Sequence, residues 1–225
     1  MIQPRHRRAL VGLALFGLAL VGLAASLLAT PALAAKAPPP SALSRDDQAT
    51  VQKALAYLQG VTTAQGHFTQ TDPRGNAASG IFYLQRPGKA RLDYDPPSGV
   101  TIASNGHVLT EVNRRLKTIQ SAPLGFTPFA LFLSNNIRLE KGVTITAVTH
   151  TAQGFSLTAR RGRRTTSGQI TFSFSTEPMA LKGWSLTEPQ GGTTVVRLTD
   201  FARAAPHPTA FFEPVLPPAA PAAEN

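Results

Sequence analysis

Residues Gly80–Pro97 read GIFYLQRPGKARLDYDPP, two strand-like runs on either side of Pro87-Gly88. Gly80–Arg86 and Lys89–Tyr94 alternate with a period of two, and Pro96-Pro97 closes the second run. That period puts Phe82, Leu84 and Arg86 on one face and Ile81, Tyr83 and Gln85 on the other. In the second run Ala90, Leu92 and Tyr94 oppose Lys89, Arg91 and Asp93. A hairpin so patterned carries an apolar row that ends in an arginine. Such a face has to be covered by something else in the chain.

Outward from this hairpin the same period persists. Gln65–Gln70 precedes it, and Gly99–Ser104 and His107–Asn113 follow, joined by Asn105-Gly106, a strong hairpin-turn signal. Leu116–Gln120, Val143–His150, Gly154–Arg160, Gln169–Ser175, Leu181–Glu188 and Thr193–Thr199 continue the pattern. No helical crossovers separate these runs, so an antiparallel sheet of about 11 strands is expected. Upstream, Ser44 and Asp47 form a capping-box-like start. Val51, Ala54, Leu55 and Leu58 then recur at helical spacing up to Gly60. A second short helix is expected in Ser121–Asn136, where Thr127-Pro128 precedes a dense apolar run including Phe129, Phe132 and Leu133. A strongly twisted sheet of this size curls. The fold expected is mainly β: a single antiparallel half-barrel with short helices as a lid over an apolar cavity.

The first residues are set apart from this domain. Arg5, His6, Arg7 and Arg8 precede an uncharged, mostly apolar run, Ala9–Leu28, and Ala32-Leu33-Ala34 offers a small-residue cleavage site. Residues 1–34 read as a secretory signal peptide, the rival being a retained membrane anchor. Residues 35–43 read as a Pro/Ala linker, 44–217 as the folded domain and 218–225 as a disordered tail. Removal of Arg5, Arg7 and Arg8 from 22 basic residues leaves 19 against 12 acidic ones, a mature charge of +7. The chain has no cysteine, so disulfides, cysteine nucleophiles and N-terminal lipid attachment are excluded.

No nucleophile elbow, HExxH pair or phosphate-binding glycine loop occurs, and His67, His107, His150 and His207 are scattered. No catalytic residue, metal site or cofactor is expected. The densest charge cluster, Arg160, Arg161, Arg163 and Arg164, reads either as a solvated hairpin tip or as a docking contact for anionic headgroups or an acidic partner. Aromatic residues are not interleaved with it, which argues against nucleic acid. The cavity-lining candidates are Phe82, Leu84, Ala90, Leu92, Val100, Ile102, Phe126, Phe129, Leu133 and Trp184. Arg86, at the cavity rim, is the candidate lid latch, because free carbonyls at the end of a lid helix would suit its guanidinium.

These motifs resemble the outer-membrane lipoprotein carrier family, LolA. Phe68-x-Gln70, the whole of Gly80–Pro97, Asn105-Gly106, Thr127-Pro128-Phe129, and Trp184 through Gln190-Gly191 to Thr194 follow the family order across Ser44–Pro217. The resemblance implies a periplasmic, monomeric half-barrel carrying acylated lipoproteins from an inner-membrane ABC lipoprotein-releasing transporter to the outer membrane, with an outer-membrane receptor as a further partner. It also implies that Arg86 bonds to lid backbone in the empty protein. Two departures stand out. Ala90 replaces what is often a large aromatic, and His107–Val112 lacks the aromatics usual in that strand. The alternative in another class is a periplasmic lipid or lipoprotein sensor of the same fold; such regulators carry a second domain after the half-barrel, which is not expected here.

Overall fold

A computed structural model describes residues 43–127, 129–134, 143–161 and 168–214. The expected signal peptide, most of the linker and the tail lie outside these residues, as do Arg163 and Arg164. The described residues open with helix α1 (Arg45–Gly60), started as its sequence dictates: the Ser44 hydroxyl accepts from the Asp47 amide. Val51, Ala54 and Leu58 form its buried stripe, with Leu55 only half-buried.

Among the described residues eleven strands follow: β1 (Thr63–Thr71), β2 (Ala77–Gln85), β3 (Lys89–Tyr94), β4 (Val100–Asn105), β5 (Val108–Asn113), β6 (Thr118–Pro123), β7 (Val143–Thr151), β8 (Gly154–Arg161), β9 (Gln169–Thr176), β10 (Met179–Thr187) and β11 (Thr193–Arg203). They form one sheet in the order β6-β5-β4-β3-β2-β1-β11-β10-β9-β8-β7, every neighbouring pair antiparallel. The sheet is two meanders joined by β1 and β11. β6 and β7 are its two edges and do not pair, so the barrel is open. Register irregularities between Gln65 and His67, Leu181 and Gly183, and Ile145 and Ala147 mark bulges, which bend strands and increase twist.

The topology dictates where the lid comes from. The chain leaves the sheet at one edge strand, β6, and re-enters at the opposite one, β7. That connection contains a 3-10 turn, Leu124–Phe126, and helix α2 (Phe129–Leu133). α2 lies over the inner face, where Phe132 meets Phe82, Phe172 and Trp184 with ring centroids 6.3, 5.7 and 6.2 Å away. α1 covers the other half: Tyr57 packs edge-on to Phe174 at 6.2 Å, and its hydroxyl accepts from the Leu181 amide.

The outer face is covered too over β2–β4, by a part of the chain whose position local sequence does not reveal. After β11 the chain runs across β2–β4 to a second 3-10 turn, Thr209–Phe212. Gln85 and His207 exchange two hydrogen bonds, at 2.8 and 3.2 Å. Lys89 Nζ donates to the Thr209 hydroxyl at 3.1 Å. Arg91 donates to the Phe211 carbonyl at 2.7 Å while lying 4.7 Å over its ring. Phe212 is fully buried, and β4 consequently shows no exposed residue on either face from Val100 to Ser104. Phe212→Ala should cost about 3–5 kcal/mol by loss of buried area and the cavity left behind. Thermal unfolding at neutral pH measures this, and a melting temperature unchanged from wild type would show that the strap is ornamental.

Candidate functional site

The inner face follows from strand register. Phe82 lies opposite Leu92, Leu92 opposite Ile102, and Ile102 opposite Glu111. Leu84, Ala90, Ser104 and Leu109 form the next row. Phe82, Leu84, Ala90, Leu92, Val100 and Ile102 are all buried there, and Trp184 joins them from β10. Phe129 and Leu133 are buried in α2, and Phe129 meets Trp184 at 5.9 Å. Phe126 is the exception among the lining candidates. It stands 87% exposed, because the 3-10 turn that carries it buries Leu124 instead. A turn of three residues cannot aim all its side chains at one side, so apolar density around Phe126 misled the sequence reading.

Arg86 follows β2, at the end of this apolar face. Its Nε donates to the Phe132 carbonyl at 2.8 Å, and its Nη1 donates to the Leu58 carbonyl. These acceptors belong to the last turns of α2 and α1, where the helix dipole is negative; the Leu58 carbonyl also accepts from the Val61 amide at 3.1 Å, and Arg86 supplies its second donor. The guanidinium also lies 4.9 Å over the Phe132 ring. Burial pushes its pKa down to about 10, leaving it charged at neutral pH, and its Nη2 is buried without a hydrogen-bond partner. Two residues on, the Gly88 amide donates to the Leu133 carbonyl at 2.7 Å, and the Gly88 carbonyl accepts from Ser104. Gly88 has φ +74, and a Cβ there would sit 2.5 Å from the Cα of Gly106 in the next hairpin. So the Arg86-Pro87-Gly88 turn takes up the carbonyl end of α2 through two donors at once.

Two more polar groups interrupt the apolar face. Trp184 Nε1 is buried without a partner, and so is Glu111 Oε2. Burial raises the Glu111 carboxyl from 4.5 to about 7. Tyr94 is also buried, with its hydroxyl donating to Gln70 at 2.7 Å; burial raises it strongly. Sequence reading did not single out Glu111, although the alternation Leu109, Glu111, Asn113 assigns it a face. Among the docking candidates, Arg160 lies within β8, half-buried and 3.5 Å from Gln169 Oε1, with its Nε unpartnered. Arg161 is the last residue of β8. Of the histidines, His67 is 3.6 Å from Asp200, His150 3.1 Å from Asp47, and His207 stacks on Phe211 at 4.2 Å. Among the described residues no three His, Cys, Asp or Glu side chains gather as a metal group.

Comparison with known proteins places this arrangement. The profile of the family described as outer membrane lipoprotein carrier protein LolA matches residues 59–214. The outer-membrane lipoprotein carrier protein of Methylococcus capsulatus is 37% identical over 99 residues, 40% of this chain and 47% of that protein. Its counterpart in Chromobacterium violaceum is 32% identical over 93 residues, 38% and 45% of the two chains. The chain thus spans about half the length of the curated relatives it matches. Solved structures with some likeness include an uncharacterized conserved protein from Thermus thermophilus (TM-score 0.43, 8% identity, 72% of this chain and 90% of that one). Another is a LolA superfamily protein from Nitrosomonas europaea (0.41, 10%, 73% and 98%). At these scores the fold is read from the chain's own sheet. The profile runs from the end of α1 through the Thr209–Phe212 turn, including every strand and Arg86, and the chain belongs to the outer-membrane lipoprotein carrier family, LolA.

Proposed function

We propose that this protein is a periplasmic carrier that takes acyl chains of lipoproteins onto the inner face of its sheet and ferries them from the inner to the outer membrane. One observation carries the reading: a broad apolar face is covered by a short lid helix whose C-terminal carbonyls are held by Arg86 and Gly88. An acyl chain the length of palmitate represents about 13 kcal/mol of transfer free energy, at about 0.8 kcal/mol per methylene, so a lipoprotein does not cross water unaided. A carrier has to offset most of that and still let go. A face already occupied by Phe129, Phe132 and Leu133 meets both needs, because cargo exchanges one set of apolar contacts for another.

Arg86 is the latch in this reading. Its charge-assisted bonds to two helix ends, each worth about 1.5–3 kcal/mol, favour the closed, empty state and so favour release. An inner-membrane lipoprotein-releasing transporter would load the carrier, and an outer-membrane acceptor would unload it. Arg160, Arg161, Arg163 and Arg164 are the docking candidates for such encounters. The protein would act as a monomer and catalyse nothing.

Lipoproteins identified by mass spectrometry after purification from the host test the carrier reading. Acylated lipoproteins are the expected cargo, whereas free glycolipid or no lipid would overturn it. Arg86→Leu is expected to load cargo normally but to pass it to acceptor liposomes about thirtyfold less readily, as about 2 kcal/mol of closed-state preference is lost. Unchanged hand-off of a labelled lipoprotein would remove the latch.

A further inference from the structure

Three polar groups on or beside the inner face lack partners, and their chemistry has one thing in common. Arg86 Nη2 and Trp184 Nε1 are hydrogen-bond donors without acceptors. Glu111 is the third, buried with 8% of its surface exposed where the apolar row ends, between Ile102 of β4 and the exposed Gln120 of the edge strand β6. Its neighbours from every packed strand are uncharged. β4 presents Val100, Ile102 and Ser104 on this face; β6 presents Thr118, Gln120 and Ala122; β5 itself adds Leu109 and Asn113. From β3 comes Tyr94, whose hydroxyl is already committed to Gln70. Among the described residues no cation faces Glu111, so nothing there stabilises its ionised form, and the carboxyl is pushed up to about 7. A buried neutral carboxyl is itself a donor. With Glu111 neutral, the inner face offers donors and seeks acceptors.

That complement selects a ligand. An ammonium group would want an ionised Glu111, which burial disfavours, and an amide N–H would meet only an acceptor oxygen of the neutral carboxyl, leaving its O–H, Arg86 Nη2 and Trp184 Nε1 without acceptors. Hydrocarbon alone would leave the donors unsatisfied at a cost. An acyl ester brings carbonyl oxygens and no donors. We propose that Glu111 is the polar contact of the acyl-binding face, its protonated carboxyl donating a hydrogen bond to the carbonyl oxygen of an acyl ester. This rests on the carrier reading and deepens it: capture of the ester buries Glu111 further as the neutral acid, so cargo binding takes up a proton. Affinity is then full below the carboxyl's titration range and falls as the pH rises through it.

The test uses two probes on the full protein: a dipalmitoyl-S-glyceryl-cysteine peptide, and its dihexadecyl ether analogue, which has no ester carbonyls. Wild type should bind the ester about fivefold more tightly than the ether near pH 6. Its affinity for the ester should fall about tenfold by pH 8. Glu111→Gln, which keeps an N–H donor but cannot titrate, should retain the ester preference and lose the pH slope. Glu111→Leu should bind both probes alike. A Glu111→Leu protein that still prefers the ester, or a Glu111→Gln protein that keeps the slope, would overturn the proposal. Wild type binding both probes equally at every pH would also overturn it while leaving the carrier reading intact; wild type binding neither would end the carrier reading itself. Stability supplies a readout that needs no ligand. A carboxyl raised from 4.5 to about 7 stabilises the fold at low pH and loses that contribution as pH rises. Glu111→Gln should therefore melt higher than wild type at about pH 8, with the gap closing near pH 5. No gap at the higher pH would show that Glu111 is not buried as the neutral acid.

Discussion

A single guanidinium ties two helix ends to the end of a strand, three places that lie well apart in sequence. Arg86 stands beyond the end of β2, and the carbonyls it binds lie 28 and 46 residues away, in the last turns of α1 and α2. Helix ends need donors for their last carbonyls, and a half-buried arginine needs acceptors to offset its desolvation. Each requirement meets the other. Its cation also lies where two helix dipoles present their negative ends, and over the Phe132 ring. The Gly88 amide adds a third bond, so the cover of the inner face is fastened at one turn.

The inner face and the β2–β4 part of the outer face are covered in different ways. On the outside, the C-terminal segment is tied along its length by Gln85, Lys89, Arg91 and Asn105, with Phe212 buried beneath. On the inside, α2 has five residues, rests mainly on aromatic contacts and is hydrogen-bonded to the sheet at its C-terminal end. Apolar contacts are non-directional, and other hydrocarbon can replace them with little loss. A cover of that kind can be exchanged, whereas one held by many directional bonds cannot be shed without leaving polar groups unpaired. The topology makes the same distinction, since α2 comes from the connection between the two edge strands, which do not pair with each other.

Unsatisfied polar groups inside an apolar face cost stability, and folded proteins keep few of them. Here the described residues hold one well inside it, on Trp184, and two at its margin, on Glu111 and Arg86. A face devoted to packing alone would do better with leucine or phenylalanine at these positions.

Much of the architecture was legible because it is written in short-range patterns. Period-two alternation set the phase of β2 and β3 and hence the faces of Phe82, Leu84, Ala90 and Leu92; Ser44 set the start of α1, and Asn105-Gly106 set a hairpin. These depend on backbone geometry within a few residues. Phe126 shows where this stops, because its apolar character invited burial and only the path of the 3-10 turn turned it outward. Glu111 shows the same limit from the other side. Alternation could assign its face, but its burial depends on neighbours contributed from elsewhere in the chain. The sequence by itself determined which strands exist, how they alternate and that an arginine ends the apolar row. Only the tertiary structure decided which two helix ends meet that arginine, and that the C-terminal segment lies across the outer face. Both depend on contacts between residues tens of positions apart, and no local pattern encodes them.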